Sequence, residues 1–317
     1  MTEPYACGML DVGDGNQVYW ETCGNPEGKP LVLLHGGPGQ GCNERMRESY
    51  DGQRYRIVLY DQRGCGRSTP SAADPATDMR FNTTAHLVAD LELLREHLGI
   101  DRWLLRGASW GCTLALAYAL RYPHRVAEIV LSAISTTRPR EIDWLYGGVS
   151  RFFPEEHERF VAGAGSADNV VAAYDRLLGH PDRDVRARAA AAWARWEETV
   201  LSLEPNARPT SFSGPVDDDL LALVRICAHY YANYGWLADG ELIRGAGDLA
   251  GIPGVLAHGR LDLSCPVETA YELASAWPGA DLFVCDQSGH RGSPATREYV
   301  NAASPGSPTA DRVASPW

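Results

Sequence analysis

Gly107-Ala108-Ser109-Trp110-Gly111 constrains this chain more than any other stretch. Residues 102–106 ahead of it (Arg-Trp-Leu-Leu-Arg) read as a short strand. Residues 112–122 behind it (Cys-Thr-Leu-Ala-Leu-Ala-Tyr-Ala-Leu-Arg-Tyr) read as a helix that Pro123 ends. A serine flanked by glycines between strand and helix sits on a strained turn, with its hydroxyl lifted clear of the sheet. The free N–H groups at the helix start can meet a developing negative charge. Such a unit needs a sheet of parallel strands with helices on its faces.

The rest of the chain supplies that sheet. Residues 9–12 and 17–22 flank Asp14-Gly15 as an antiparallel hairpin. Apolar runs at residues 31–34, 56–60, 102–105, 127–131, 255–257 and 282–285 have the character of buried parallel strands. Helical patterns at 84–98 and 112–122 separate several of them, giving the alternation of a doubly wound α/β sheet. The alternation stops near Ser135. From Glu141 to about Leu249 the pattern is helical, with residues 181–203 rich in Ala and Arg and residues 217–234 opening on an acidic first turn. It returns at Ile252. The expected organisation is a core at 1–134 and 251–303, an inserted helical cap at 135–250, and a Ser/Pro-rich flexible tail at 304–317.

Composition narrows the partners. A chain of 317 residues with 44% hydrophobic content can bury a large core, and its net charge of −12 argues against nucleic acid or an anionic membrane. The eight cysteines are scattered, with no zinc-ligand spacing, and the serine chemistry described below implies no metal or other cofactor. The opening residues carry no basic and apolar leader, and nothing approaches a membrane-spanning length. A reducing, cytoplasmic setting is the expectation.

A serine nucleophile needs a histidine base, and the base needs a carboxylate to fix its tautomer. In folds built on this turn the chain order is nucleophile, acid, histidine. After the cap only His258 and His290 remain. His258 precedes the most suitable acid, Asp262, which stands just beyond its strand. His290 lies in a loop after the last apolar run and is the expected base. Asp286 is the rival acid, only four residues from His290. His35-Gly36-Gly37-Pro38-Gly39 follows the strand at 31–34; Pro38 has no N–H, so Gly37 and Trp110 are the expected oxyanion donors. The charged side chains of Asp61-Gln-Arg-Gly-Cys-Gly-Arg-Ser68 are expected to brace these loops.

Together these segments resemble the proline iminopeptidase family of α/β-hydrolases. The likeness rests on His35-Gly-Gly-Pro-Gly39, Asp61-Gln-Arg-Gly-Cys-Gly-Arg-Ser68, the Ser-Trp-Gly turn and Gly259-Arg-Leu-Asp262. It extends into the cap at Glu141-Ile-Asp-Trp-Leu-Tyr146 and Ser150-Arg-Phe-Phe-Pro154, and covers roughly residues 5–292. The resemblance implies the α/β-hydrolase fold and removal of an N-terminal residue, ideally proline, whose free α-ammonium is held by cap glutamates. Trp193-Ala-Arg-Trp-Glu197 matches the family's W-x-x-W-E segment, making Glu197 the expected ammonium anchor. A second family glutamate is replaced by Cys227 in Arg225-Ile-Cys-Ala-His-Tyr-Tyr231, a loss of one acceptor worth about 1–3 kcal/mol. After His290 the likeness fades, with Arg291-Gly-Ser-Pro in place of small and apolar residues.

The chemistry expected is hydrolysis of the amide between an N-terminal amino acid and its leaving amine, in a peptide or small molecule with a free α-amino group. Trp144, Tyr146, Phe153 and Tyr231, with Glu197 and Cys227, are the expected substrate-binding side chains. Relatives in natural-product pathways remove an aminoacyl group from a polyketide amine through a more apolar tunnel. Cys227 and the cap aromatics suit that alternative. A non-peptidase esterase, or a ligand-binding protein on the same scaffold, is the further alternative. Ser109 excludes chemistry that needs a carboxylate nucleophile.

Overall fold

In the computed structural model, which describes residues 3–48, 50–165, 168–205 and 212–303, a tight turn at residues 12–16 joins β1 (Ala6–Asp11) to β2 (Gln17–Gly24) as an antiparallel hairpin. β3 (Lys29–Leu34), the short helix α1 (Glu44–Arg47), β4 (Tyr55–Tyr60), α2 (Thr84–His97), β5 (Trp103–Ser109), α3 (Trp110–Arg121) and β6 (Val126–Ile134) follow. β7 (Gly254–Gly259), α10 (Val267–Ala276), β8 (Ala280–Cys285) and α11 (Pro294–Ala303) complete the sheet. The tail expected at 304–317 lies outside the described residues.

The eight strands form one sheet in the order β1-β2-β4-β3-β5-β6-β7-β8, antiparallel through β1, β2 and β4 and parallel from there on. Residue alternation divides its core. Val32, Leu34, Val58, Tyr60, Trp103 and Leu105 pack on one face, against α2 and α3. Leu31, Leu33, Ile57, Leu59 and Leu104 pack on the other, with Val300 of α11. Both faces are dry, so the central strands are apolar at consecutive positions rather than at every second one. β5 continues past the expected end at 105, because Gly107 and Ala108 still pair with Leu131 and Ser132 of β6.

β3 has β4 on one side and β5 on the other, so the strand order reverses between them. In open α/β sheets the crevice beyond the carboxyl ends of such strands is where ligands bind. Residues 35–39 and Ser109 stand at those ends.

Between β6 and β7 the described chain is helical: α4 (Pro139–Tyr146), α5 (Pro154–Ala164), α6 (Val170–Leu178), α7 (Arg183–Leu201), α8 (Asp218–Ala232) and the short α9 (Glu241–Gly245). Side chains cap three of them: Asn169 accepts from Ala172 N–H, Asp182 from Asp184 N–H, and Asp217 from Leu220 N–H. α8 docks on the sheet side by side-chain anchors. Arg225 donates to the carbonyls of Ala72 and Asp74 at 2.9 and 2.6 Å, and Tyr230 donates to Asn82 at 2.8 Å. That places α8 over residues 36–39, where a Cβ on Gly39 would come within 2.9 Å of Ile226.

Candidate active site

Ser109 has φ 55° and ψ −125°, a left-handed backbone for a residue with a Cβ. Such strain costs about 1–3 kcal/mol and persists only where neighbours enforce it. The flanking glycines show what enforces it. A Cβ on Gly107 would lie 2.4 Å from the Gly111 carbonyl oxygen, and one on Gly111 would lie 2.2 Å from that of Leu34. Strand, turn and helix therefore close to backbone contact and hold Ser109 at the tip. Trp110 is the first residue of α3, so its N–H has no partner within the helix. Its indole is buried and donates to Gln62 Oε1 at 3.0 Å.

Asp262 and His290 meet as a pair. Asp262 Oδ2 lies 2.9 Å from His290 Nδ1, while Oδ1 accepts from Cys265 N–H at 2.7 Å. Burial disfavours the Asp262 carboxylate, but His290 and His258 outweigh it and hold its pKa below the ordinary value. Burial likewise opposes the His290 imidazolium, and the Asp262 carboxylate more than offsets that, setting His290 well above its ordinary value. His258 is occupied elsewhere: Nδ1 accepts from Ile134 N–H at 2.9 Å and Nε2 donates to the Cys265 carbonyl at 2.8 Å. Asp286, the rival acid, pairs with Arg260 at the surface.

On the other side of Ser109, His35 is buried and structural. Gln62 N–H donates to its Nε2 at 3.1 Å, which leaves Nδ1–H to donate to the Gly36 carbonyl at 3.0 Å. Burial lowers the His35 pKa and keeps it neutral. Asp61 accepts from Cys42 N–H, Arg67 N–H and Arg67 Nε, and Arg63 grips Asp90 through two bonds of 2.7 Å. These charges fix loops, away from the cavity wall.

The cavity holds about 550 Å³ and is walled by Gly37, Ser109, Glu197, Leu223, Tyr231 and His290, among others. No hydrogen bond joins the side chains of Ser109 and His290 across it. Tyr231 Oη donates to the Gly37 carbonyl at 2.9 Å. Glu197 is buried, and its Oε1 accepts from Tyr146 Oη at 2.6 Å. Burial pushes its pKa up to about 7, with Tyr146 and His290 acting against the rise. The other carboxylate on the wall, Glu141, is consumed by Thr136, Thr137, Arg138 and Thr269.

Four expected binding residues stand behind the wall rather than on it. Cys227 is fully buried and its thiol donates to the Pro38 carbonyl at 3.2 Å; burial pushes its pKa well up, so it is a neutral packing group. Tyr146 reaches Glu197 from behind. The Trp144 indole donates to the Leu263 carbonyl at 2.7 Å, near the Asp262 loop. Phe153 packs edge-on against Trp196, with ring centroids 6.4 Å apart.

One residue escaped sequence reasoning. Glu204, just past α7, accepts from the backbone N–H of His290 at 2.6 Å and of Arg291 at 3.3 Å. A Cβ on Gly289 would fall 2.3 Å from its carboxyl carbon, so glycine is what lets Glu204 approach. No motif marks it.

Asp262, Cys265 and His290 are the one group among the described residues that brings three possible metal-ligand atoms within 4.8 Å. Burial pushes the Cys265 thiol up to about 11, and the carboxylate and imidazole already bond to each other. The arrangement can support proton transfer at His290.

The chain matches the alpha/beta hydrolase fold family over residues 29–293. It is 48% identical to a probable proline iminopeptidase of Streptomyces coelicolor, over 95% of this chain and 94% of that protein. Identity to the proline iminopeptidase of Xylella fastidiosa is 44%, over 90% and 91%. Among solved structures, a proline iminopeptidase of Mycobacterium smegmatis superposes with a TM-score of 0.63 at 22% identity, covering 90% of this chain and 91% of that one. A Rhodococcus esterase gives 0.61 at 20%, covering 92% and 95%. These two likenesses concern the fold.

Proposed function

The chain belongs to the proline iminopeptidase family of α/β-hydrolases, and from that premise we propose that it is a serine aminopeptidase releasing an N-terminal residue, proline foremost, from short peptides or amides. Ser109 Oγ attacks the carbonyl of the N-terminal residue. His290 Nε2 takes the hydroxyl proton and returns it to the leaving amine, so a small shift on substrate binding must close the gap between the two side chains. Asp262 keeps the proton on His290 Nδ1 and stabilises the imidazolium that forms. The N–H groups of Gly37 and Trp110 hold the oxyanion, a contribution commonly worth several kcal/mol. The acyl-enzyme is then hydrolysed by water activated at His290. The helical insert at 135–250 acts as the cap that shapes access.

Glu197 carries this assignment. It is the wall carboxylate that no lysine or arginine pairs with among the described residues, and a substrate α-ammonium supplies the charge that makes its ionised form favourable. Eight unpaired cysteines suit a reducing, cytoplasmic compartment, and no described helix is long and apolar enough to cross a membrane. The polyketide-amide and binding-protein alternatives are not favoured by relatives named as proline iminopeptidases.

The test is a panel of aminoacyl-2-naphthylamides, run beside fluorophosphonate labelling of Ser109. Fastest turnover of the prolyl compound is expected. Labelling of Ser109 with no aminoacyl amide cleaved would sink the proposal.

A further inference from the structure

Three arginines share the wall with Ser109 and His290: Arg106 of β5, Arg291 directly after His290, and Arg297 of α11. They share it with two carboxylates, Glu141 and Glu197, and the three differ in how far their charges are spent. Arg106 is engaged, donating to Ser132 Oγ at 2.7 Å and to main-chain carbonyls. Arg297 is exposed and has no side-chain partner among the described residues. Arg291 is the telling one. Its Nε and Nη1 are buried and have no acceptor among the described residues, and Nη2 lies 3.9 Å from Glu198. Its backbone N–H is held by Glu204, and the long contact to Glu198 engages one end of the guanidinium alone.

Buried guanidinium N–H groups without acceptors are costly unless a ligand satisfies them. Their place in the chain says which ligand atom that is. Arg291 adjoins the histidine that hands a proton to the leaving amine, so its neighbourhood is that of the leaving residue. We propose that Arg291, supported by Arg297, binds the α-carboxylate of the leaving group, which makes dipeptides with a free C-terminus the preferred substrate class. Glu197 and Arg291 then read the two charged ends of a zwitterion. A guanidinium suits this task because it offers several donors to one planar carboxylate. The inference rests on the aminopeptidase assignment above.

The experiment compares prolyl-alanine, prolyl-alaninamide and prolyl-2-naphthylamide on the wild-type enzyme and on Arg291→Gln, Arg291→Lys and Arg297→Gln. In the wild type, kcat/KM for the free acid should exceed that for the amide by about tenfold or more. Most of the difference should appear in KM and should shrink with added salt. Arg291→Gln should bring the acid-to-amide ratio close to one, and Arg291→Lys should restore part of it. A purely structural Arg291 would lower both substrates together and leave the ratio unmoved. A wild-type ratio near one overturns the inference even if the Arg291 variants fail to fold, while turnover of the amide and naphthylamide leaves the aminopeptidase assignment standing. Failure of all three compounds, with Ser109 still labelled by a fluorophosphonate, removes that assignment and this inference with it.

Discussion

Tyr146 Oη donates to Glu197 Oε1 at 2.6 Å, across 51 positions of sequence and from one helix of the insert to another. The contact holds a buried carboxylate at the cavity wall through a neutral hydroxyl, with no lysine or arginine paired to it among the described residues. Glu197 is thereby poised between its two protonation states near neutral pH.

Glu197→Gln keeps the shape and one acceptor but removes the charge. KM for prolyl-2-naphthylamide should rise roughly ten- to a hundredfold, the value of one charge-assisted bond. The change on nitrophenyl acetate should be much smaller. Equal losses on both substrates would make Glu197 a structural residue of the cap.

The same substitution should stabilise the unliganded protein at pH 8. The folded-state pKa of Glu197 is raised from 4.5 to about 7, so the fold holds that proton more tightly than the unfolded chain does. Stability is therefore lost as pH rises from 4.5 through 7, by on the order of 3 kcal/mol at most. Thermal melts should show Glu197→Gln a few degrees above wild type at pH 8, and the gap should close toward pH 5. A variant that melts lower at pH 8 would contradict the buried, uncompensated carboxylate.

A pH profile separates the two titrating groups. In the proposed mechanism His290 must be neutral to act as base and Glu197 must be ionised to bind an ammonium, so both need proton loss for turnover of a prolyl amide. Nitrophenyl acetate needs only His290. The ratio of kcat/KM for prolyl-2-naphthylamide to that for the ester should climb between about pH 6 and 8 as Glu197 ionises. Tyr146→Phe removes the hydrogen bond that favours the ionised form and should push that climb to higher pH. A flat ratio in the wild type counts against Glu197 as the ammonium anchor.

Asp262→Asn should lower kcat by roughly 10⁴-fold with the fold intact, because the amide leaves His290 in the wrong tautomer. Asp286→Asn should change little beyond losing a surface pair with Arg260. Steady-state kinetics and circular dichroism of the two variants decide the point; the reverse ranking would move the acid to Asp286.

Cys227→Glu tests the wall itself. The thiol is fully buried against Pro38, within electrostatic reach of Glu197. A carboxylate there adds volume and a second buried charge, so the melting temperature should fall by several degrees and affinity for prolyl amides should not improve. Tighter binding at an unchanged melting temperature would show that the side chain turns into the cavity.

What could be read beforehand divides along physical lines. The strands, the helical insert and the places of Ser109, Asp262 and His290 follow from apolar runs and chain order, which are local signals. Side-chain reach is different. Cys227 and Tyr231 are four residues apart on one face of α8, yet the long tyrosine extends to Gly37 and the cavity while the short thiol stops at Pro38. Helical phase assigns both to the same face and cannot tell them apart. Tyr146 was legible as an aromatic near the site, but its role as the partner of Glu197 depends on how α4 and α7 pack. Glu204 carries no pattern because its contacts are to main-chain N–H groups, which any sequence provides.

Glu204 also bears on how the enzyme fails when heated. It lies on the inserted segment, and its carboxylate holds the main chain of His290 and Arg291. The segment that carries Glu197 is thus tethered to the loop that carries His290. Partial detachment of the insert would misalign the imidazole while the sheet beneath remained folded. Heat inactivation should therefore set in below the main unfolding transition, and an ammonium-bearing inhibitor that clamps the insert in place should protect catalysis more than it raises the melting point.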